Sequence, residues 1–351
     1  MKIVVRATNW VGDAIMSIPA LEAIRARWPD ADLATLALPG IADLLRGQPS
    51  VGRMLVFDRT GRHAGVLGRE RLAAELRRER FDVAVLFQNA FDAAWIAWRA
   101  GIRERIGYAR DARSPFLTRA VRVAAKGEIP AHESFYYLEL LRRAGWVSRL
   151  PDRVEIALRV ESAAREAAEA KLAQAGARKG VLRCALAPGA SFGSARCWPP
   201  DRFGKLAARL RAEYGAEVIL LGAPAEGTLA RAIAGASGDS VINLVGQTNM
   251  TEIPALLAAC DLFIGNDSGL THVAGAVGLP IVGIYGSTDP EETRPVAARL
   301  EVVRHAVSCS PCFLRKCPVD HRCMTRIGVA QVLAAAQKWI ERPGKRAGVP
   351  S

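Results

Sequence analysis

The sequence predicts an α/β protein built from two doubly wound parallel sheets. Short apolar runs alternate with amphipathic stretches along most of the chain, as in parallel strands that helices cover on both faces. The alternation stops in the Ala- and Glu-rich residues 161–174 and starts again at residue 183. A length of 351 residues also favours two domains, at about 150 residues each. We therefore expect a first domain over residues 1–175, a second over 176–326 and a terminal helical segment over 327–351.

The first half contains short, continuous apolar runs that are typical of buried strands, separated by stretches with helical periodicity. The expected strands are residues 3–6, 33–37, 54–57 and 83–87, and the expected helices are residues 14–28 and 70–80. Pro19 lies inside the first helical pattern. Because proline lacks a backbone N–H, it should kink that helix or displace its start.

The second half repeats this pattern. The expected strands are residues 183–187, 217–221, 261–265 and 281–285, and the expected helices are residues 201–214, 226–236, 251–259, 268–277 and 329–340. Ligands of such sheets bind beyond the carboxyl ends of the strands. The loops that follow each strand are therefore the places to look for chemistry.

The composition indicates an anionic partner. The net charge is +13, and 40 of the 48 basic residues are arginines, whose planar fork binds phosphate or carboxylate with two parallel hydrogen bonds. The alternative is a solvated basic surface. We do not expect nucleic acid, because the chain has no groove-reading motif and no basic stretch interleaved with aromatic residues. Neither G-x-G-x-x-G nor the Walker A pattern occurs, which argues against dinucleotide enzymes and P-loop ATPases.

Cysteine usage and hydropathy favour a cytoplasmic protein. The seven cysteines are an odd number in a large chain, which suits a reducing compartment better than a disulfide scaffold. The N-terminus does not resemble a signal peptide, and no apolar run reaches the roughly 18 to 20 residues that span a bilayer.

The loop after the first predicted strand, residues 8–13, contains Gly12 and Asp13. Glycine permits a close approach of the backbone to a ligand. Asp13 stands where the next helix begins. Spacing alone favours an N-cap for Asp13, and the alternative is a general base that faces a cleft between the domains.

The loop at residues 187–199 combines small residues with Arg196. Its open backbone N–H groups and fixed positive charge are suited to a phosphate. Residues 189–193 also match the G-x-S-x-G pattern of serine hydrolases, with Ser191 as the nucleophile. That motif needs a helix immediately after the serine, whereas Pro199 and Pro200 delay the next helix. We therefore favour the phosphate site over a hydrolase.

Residues 265–272 join a predicted strand to a predicted helix. The helix N-terminus and the Ser268 hydroxyl together suit a diphosphate. The alternative is an ordinary capped helix, with Asp267 or Ser268 as the cap and His272 packed in the core. Glu226 also follows a strand, and its carboxylate can accept hydrogen bonds from both hydroxyls of a ribose.

Two further groups of residues are candidate ligand sites. The cysteines near the C-terminus can be arranged as a zinc site, although free thiols or an occasional disulfide fit their spacing better; they are Cys309, Cys312, Cys317 and Cys323. Residues 103–122 hold six arginines in a stretch expected to be rich in loops, and Arg59 and Arg62 lie in another loop after a strand. These arginines can clamp an acidic acceptor or simply face solvent.

Three passages, residues 9–13, 188–198 and 266–290, together resemble the ADP-heptose:lipopolysaccharide heptosyltransferases of glycosyltransferase family 9, and most of all their heptosyltransferase II group. The resemblance implies a GT-B fold, in which an N-terminal acceptor domain and a C-terminal ADP-sugar domain face a cleft. It also implies that the last helix crosses back onto the N-terminal domain. The implied reaction is inverting transfer that requires no metal or other cofactor.

The resemblance also implies roles for individual residues. Asp13 matches the family's proposed base, Glu226 matches its ribose-binding acid, and Arg196 stands where the family often has lysine, at the diphosphate. The other implied donor-binding residues are Ser191, Ser194, Asp267, Ser268, Gly269 and His272. The implied acceptor-binding residues are Asn9, Gly12, Arg59, Arg62, Arg110 and Arg113.

The implied function is transfer of heptose from ADP-heptose to the first heptose of the lipopolysaccharide inner core. A heptosyltransferase I or III with another acceptor is the alternative, and a non-catalytic nucleotide-binding module is a more distant one. The implied location is the cytoplasm, with peripheral contact to the inner membrane, whose anionic lipids attract basic residues at roughly 1 kcal/mol each.

Overall fold

The computed structural model describes residues 1–238 and 241–341. The chain divides into two compact units, Met1–Glu155 and Ile156–Ser351. Within the described residues each unit is built on a six-stranded sheet in which all neighbouring strands are parallel. The α/β class and the doubly wound sheets predicted from the sequence are thus confirmed.

The sheet of the first unit has the strand order β3-β2-β1-β4-β5-β6. Its strands are β1 (Lys2–Arg6), β2 (Asp32–Ala37), β3 (Arg53–Val56), β4 (Val83–Leu86), β5 (Glu104–Tyr108) and β6 (Arg119–Val121). The central strand is buried on both faces, which explains its unbroken apolar run: Ile3 pairs with Leu33 on one side and with Val83 on the other.

The helices of the first unit cover both faces of this sheet. They are α1 (Val11–Met16), α2 (Ile18–Arg27), α3 (Pro39–Leu45), α4 (Gly65–Glu79), α5 (Phe91–Arg99) and α6 (Glu133–Arg143). The single helix expected over residues 14–28 is divided at Ser17, and Pro19 lies in the first turn of α2. No N–H is needed in a first turn, so proline fits there and displaces the helix start, as predicted.

The sheet of the second unit has the order β12-β11-β10-β7-β8-β9. Its strands are β7 (Arg183–Ala187), β8 (Glu217–Leu220), β9 (Val241–Asn243), β10 (Leu262–Asn266), β11 (Ile281–Tyr285) and β12 (Leu300–Arg304). Its helices are α7 (Ser162–Gln174), α8 (Pro200–Tyr214), α9 (Gly227–Ala236), α10 (Ile253–Ala258), α11 (Gly269–Ala276), α12 (Pro290–Thr293), α13 (Arg322–Thr325) and α14 (Val329–Ile340).

The core of the second unit contains Trp198 and Phe203, which meet edge to face with their ring centroids 4.9 Å apart. Trp198 is fully buried, and its indole N–H donates to the Ile327 carbonyl at 2.9 Å. This bond satisfies the one polar atom of the Trp198 side chain. The aromatic pair anchors the start of α8 beside the sheet.

The terminal helix α14 packs on the second unit, which differs from the expectation that it lies against the first. Its buried residues Val332, Leu333 and Ala336 belong to the core of the second unit. The sequence predicted the bounds of α14, but an amphipathic face does not specify which sheet it will cover. Residues 342–351, which the expected terminal segment included, lie outside the described residues.

Two other regions also differ from the expectation. The division after Glu155 is earlier than the expected boundary, because α7 packs on α10 of the second unit. The arginine-rich residues 103–122 are rich in loops, as expected, but they also form the strands β5 and β6, which the sequence did not predict. Among the described helices, none is long and apolar enough to cross a membrane.

Candidate active site

Each sheet has one point where its strand order reverses. In the first sheet this point lies between β1 and β4, and in the second it lies between β7 and β10. The loops that leave such a pair of strands diverge to opposite faces of the sheet, and the crevice between them is the usual ligand site of the fold. Most of the site residues expected from the sequence lie in these loops or in the helices that follow them.

In the first unit, Arg6 at the end of β1 holds the loop that follows this strand through a hydrogen bond to Asn9. Its guanidinium is buried and donates to Asn9 Oδ1 at 2.7 Å, while the backbone N–H of Asn9 donates to Gln88 Oε1 at 3.0 Å. Arg6 also lies over the Phe57 ring, 5.3 Å from its centroid. Burial lowers the pKa of Arg6 to about 10, so Arg6 remains a cation at neutral pH. Asn9 is therefore held between the ends of β1 and β4.

Asp13 is the third residue of α1, and the N-cap of that helix is Trp10. The helix-cap interpretation that spacing favoured is thus wrong. A carboxylate in a first turn is still favoured by the partial positive charge of the helix N-terminus. Tyr137 of α6 is close enough that the negative charge of Asp13 adds to burial in raising the pKa of the Tyr137 hydroxyl. Gly12 directly precedes Asp13 and leaves the backbone accessible beside it.

The expected acceptor arginines differ in availability. Arg59 and Arg62 are exposed, and Arg62 forms an ion pair with Glu75. Arg110 is exposed as well, with Asp111 Oδ2 at 3.3 Å from its Nε and the Tyr136 hydroxyl at 3.5 Å from Nη1. Such exposed pairs are weak, so an anionic ligand can displace them at little cost.

Arg113 is the exception, because its side chain has no exposed surface. Its guanidinium donates to the Tyr108 carbonyl at 2.9 Å, to the Gln88 carbonyl and to Asn89 Oδ1 at 2.8 Å. In this arrangement Arg113 positions the loop after β4 and does not offer its guanidinium to an acceptor. This corrects the expectation of direct acceptor contact.

Sequence reasoning missed four polar residues of the first unit, namely Arg6, Gln88, Asn89 and Tyr136. Arg6 carried a usable signal, since a charge at the end of an otherwise apolar strand must find partners when buried. Asn89 donates to the Tyr136 hydroxyl at 2.9 Å. That contact joins positions far apart in the chain and left no local pattern to find.

In the second unit, Asn266 joins the loops after β7 and β10. Its side chain is fully buried. The Asn266 Nδ2 donates to the Pro188 carbonyl at 2.6 Å, and Oδ1 accepts from the backbone N–H of Trp198 at 3.0 Å. The residues between Pro188 and Trp198 therefore form a loop whose two ends are fixed to the same amide. Arg196 lies in this loop.

Arg196 forms an ion pair with the buried Asp267, with 3.0 Å between Nη1 and Oδ2. Asp267 also accepts from the Thr288 hydroxyl at 2.7 Å. Burial raises the pKa of Asp267, while the positive charge of Arg196 and the Thr288 hydrogen bond oppose that rise. The Arg196 guanidinium lies 4.2 Å from the centroid of the Phe192 ring. A cation oriented by a carboxylate and a ring is preorganised to receive a phosphate.

Ser268 is the N-cap of α11, but its side chain makes no capping hydrogen bond. Ser268 and Gly269 are partly exposed at the helix N-terminus, whereas His272 is buried one turn further along. The first backbone N–H groups of a helix lack intrahelical partners and attract anions. The Ser268 hydroxyl and the start of α11 thus remain suited to a diphosphate, and His272 fits the alternative of a packed residue.

Glu226 lies against two glycines that follow neighbouring strands. A Cβ atom on Gly189 would be 1.9 Å from Glu226 Oε1, and one on Gly222 would be 2.2 Å from Oε2. The Ala223 N–H donates to Oε2 at 3.1 Å. Burial raises the pKa of Glu226, and the Ala223 hydrogen bond partly opposes that rise. Glycine at both positions is what allows this carboxylate to lie beyond the ends of β7 and β8.

Ser191 and Ser194 are exposed in the loop after β7. The helix α8 begins only at Pro200, so Ser191 is not on a strand-to-helix turn and the hydrolase geometry is absent from this described loop. Gly193 has a φ of +156°, and a Cβ atom there would be 2.2 Å from the Arg315 carbonyl oxygen. The loop therefore rests closely on the cysteine-bearing segment.

That segment, residues 309–323, supports the loops that follow β7 and β11. The Ala195 N–H donates to the Arg315 carbonyl at 3.1 Å, and the N–H of Phe313 donates to the Ser287 carbonyl at 2.7 Å. All four of its cysteines have free thiols, and burial raises the pKa of Cys323. Among the described residues, no group of three or more Cys, His, Asp or Glu side chains is arranged to hold a metal ion.

Residues 69–322 match the model of glycosyltransferase family 9 (heptosyltransferase), and this span is more than half of the chain. The chain belongs to glycosyltransferase family 9. It is therefore a transferase that uses a glycosyl donor, and the hydrolase alternative is excluded.

Known members of family 9 resemble this glycosyltransferase over most of its length. It is 31% identical to lipopolysaccharide heptosyltransferase 2 of Escherichia coli K12, over 87% of this chain and 88% of that protein. It is 29% identical to lipooligosaccharide heptosyltransferase 2 of Haemophilus influenzae, with the same coverage. The solved structure of E. coli ADP-heptose LPS heptosyltransferase II superposes with a TM-score of 0.81 at 27% identity, over 97% of this chain and 98% of that one. This similarity confirms the GT-B fold.

Proposed function

We propose that this glycosyltransferase moves L-glycero-D-manno-heptose from ADP-heptose to the first heptose of the lipopolysaccharide inner core, the activity of a heptosyltransferase II. The observation that carries the proposal is the 31% identity, over 87% of the chain, to an E. coli protein of that name. A heptosyltransferase I or III with a different acceptor is the alternative.

The donor is proposed to bind at the crevice of the second unit. Glu226 accepts hydrogen bonds from the ribose hydroxyls, since its carboxylate is held at the ends of β7 and β8 by Ala223 and by the space that Gly189 and Gly222 leave. Arg196, Ser268 and the first N–H groups of α11 take the diphosphate. Asp267 keeps Arg196 in position through the 3.0 Å ion pair. Ser191 and Ser194 are exposed hydroxyls in the same loop as Arg196 and are available to the sugar or the phosphates.

The reaction forms a bond from an acceptor hydroxyl oxygen to the anomeric carbon and breaks the bond from that carbon to the diphosphate. Asp13 accepts the proton of the attacking hydroxyl, and a positioned base of this kind contributes roughly 10²- to 10⁴-fold to the rate. Negative charge grows on the departing ADP as positive charge develops at the anomeric carbon. Arg196 and the N-terminus of α11 stabilise that negative charge without a metal ion or other cofactor.

The acceptor is proposed to bind at the crevice of the first unit, beside Asn9 and Gly12. Exposed arginines are available there for the phosphate and carboxylate groups of an inner-core glycolipid, namely Arg59, Arg62 and Arg110. We further propose a cytoplasmic enzyme that contacts the inner face of the membrane in which such an acceptor lies. The excess of basic residues favours that contact.

The decisive experiment measures ADP release from ADP-heptose with acceptors that contain or lack the first heptose, in the presence of EDTA. We expect release with the heptosylated acceptor only. In Asp13→Asn the release falls by about 100-fold or more, while ADP-heptose still binds.

Release with the unheptosylated acceptor would identify a heptosyltransferase I instead. ADP-heptose binding without turnover, and without any effect of Asp13→Asn, would favour a non-catalytic module. Loss of release in EDTA that Mg²⁺ restores would contradict the metal-independent mechanism.

A further inference from the structure

The first turn of α4 carries two exposed aliphatic side chains. Val66 is 70% exposed and Leu67 is 84% exposed, and we call this pair the aliphatic tip. The buried residues of the same helix, Gly68, Leu72, Ala73 and Leu76, define the face that packs on the core. Val66 and Leu67 directly precede Gly68, the first of these, and their exposed fractions show that both side chains face solvent.

The backbone that carries the aliphatic tip is fixed. A Cβ atom on Gly68 would be 2.2 Å from the backbone of the buried His63, so helix and preceding loop are in close contact there. Arg69 donates to the Gly65 carbonyl at 2.9 Å and to Asp92 at 3.2 Å, which ties the start of α4 to the start of α5. The two aliphatic side chains therefore project from a rigid turn and are not part of a loop that can fold back over them.

The aliphatic tip lies at the same edge of the sheet as the proposed acceptor site. Helix α4 follows the carboxyl end of β3 through the loop of residues 57–64, and α5 follows the carboxyl end of β4 through residues 87–90. The loop before α4 contains Arg59 and Arg62, and the exposed Arg71 donates to the Arg62 carbonyl at 3.2 Å. Aliphatic and basic side chains are thus presented together next to the place where the acceptor is proposed to bind.

The size and charge of this surface select its partner. Two aliphatic side chains are far too small for a stable protein interface, which needs roughly 1,000 Å² of buried area. They suffice for reversible insertion into the headgroup region of a membrane when cationic residues add their attraction to anionic lipids. Residues 1–150 carry 24 basic and 16 acidic side chains, a balance of +8.

We propose that the aliphatic tip docks the first unit on an anionic lipid bilayer, with Val66 and Leu67 inserted and with the exposed Arg71 at the headgroups. The inference extends the proposed function and rests on it in one respect: a glycolipid acceptor gives this docking a purpose. Docking at the acceptor edge brings the enzyme to the surface from which the inner core projects.

The test measures binding of the full chain to vesicles of phosphatidylethanolamine and phosphatidylglycerol, without donor or acceptor. The double variant Val66→Ser/Leu67→Ser should bind about tenfold more weakly or worse, because two aliphatic insertions are lost. The matched control is Val319→Ser, since Val319 is 71% exposed in the second unit and should not matter. Leu67→Trp should bind at least as tightly as the wild type, which guards against a result caused by misfolding.

Wild-type affinity for the double variant, or an equal loss in Val319→Ser, would overturn the inference. Equal binding of the wild type to neutral phosphatidylcholine vesicles would overturn the electrostatic part of the proposal. ADP release with a water-soluble inner-core fragment should be unchanged in the double variant, because Val66 and Leu67 have no part in catalysis. Vesicle binding without any heptose transfer would refute the proposed function alone, so the two failures are distinguishable.

Discussion

Two carboxylates of the second unit, the buried Asp267 and the half-buried Glu226, differ in what surrounds them. Asp267 faces the cation of Arg196 and the Thr288 hydroxyl, so its carboxylate already has two partners within the protein. Among the described residues, the Ala223 N–H donates to Glu226, and two glycines lie beside the Glu226 oxygens. Its remaining acceptor capacity is available for ligand hydroxyls. The same side-chain chemistry therefore positions a cation in one place and leaves oxygens accessible for the proposed ribose contact in the other.

The raised pKa of Glu226 predicts how donor binding depends on pH. Only the carboxylate accepts from two ribose hydroxyls, so ADP affinity should be greatest above the pKa of Glu226 and should fall as the pH is lowered through it. Glu226→Gln should bind ADP about tenfold more weakly at neutral pH, with that pH dependence removed. Titration calorimetry across the acidic range measures both effects.

The control for this prediction is Glu213→Gln, which alters an exposed ion pair with Arg209. This variant should leave the pH dependence of ADP affinity unchanged. An unaltered pH profile in Glu226→Gln would remove Glu226 from the donor site. The effect of Glu226 on folding has the opposite sign. Because the pKa of this carboxyl is higher in the folded than in the unfolded protein, its contribution to the free energy of unfolding falls as the pH rises above the unfolded pKa. A ligand effect and a folding effect can thus be told apart.

At the scale of elements, Arg113 links two neighbouring strands. Its three acceptors lie at the end of β5 and in the loop after β4, and its burial lowers its pKa to about 10. Removing the side chain leaves these carbonyl groups without their donor in a buried position. Arg113→Ala should therefore lower the free energy of unfolding by about 3 kcal/mol, measured by denaturant titration.

Arg110→Ala provides the contrast, since Arg110 is exposed and its ion pair with Asp111 is weak. That variant should lose acceptor affinity, seen as a higher KM, and should keep its stability within about 0.5 kcal/mol. Equal stability of the Arg110→Ala and Arg113→Ala variants would show that the buried hydrogen bonds of Arg113 do not support the fold.

The elements differ in how well their sequence defined them. Buried central strands such as β1 and β7 were predicted within a residue or two, because only a two-faced sheet explains a continuous apolar run. The strands β5 and β6 were missed, since the arginines in and around them resemble a solvated loop. The helix α5 was missed because its nine residues are too few to establish a periodicity.

At the scale of the whole molecule, the sequence predicted the two sheets and the loops after β1, β7 and β10, but not the contacts that hold these loops in place. The Asn266 contacts with Pro188 and Trp198 join residues about 70 to 80 positions apart, and no local pattern records them. The resemblance to family 9 identified the loops that matter. Their internal supports, such as the Arg315 carbonyl beneath Gly193, required the structure.

The proposed assignment of the donor to the second unit and the acceptor to the first predicts which segments are stabilised when ADP binds. The proposed ADP contacts come only from the second unit, from residues 188–198, 222–228 and 266–272. Saturating ADP should slow amide hydrogen exchange in these three segments, because binding stabilises the loops that contact the ligand. Residues 8–13 and 58–63 of the first unit should exchange at their unliganded rates. Arg196→Gln should lose most of the protection, whereas Asp13→Asn should keep it. Protection of residues 8–13 by ADP alone, as strong as that of residues 266–272, would mean that the first unit contributes to donor binding and that Asp13 does more than accept a proton.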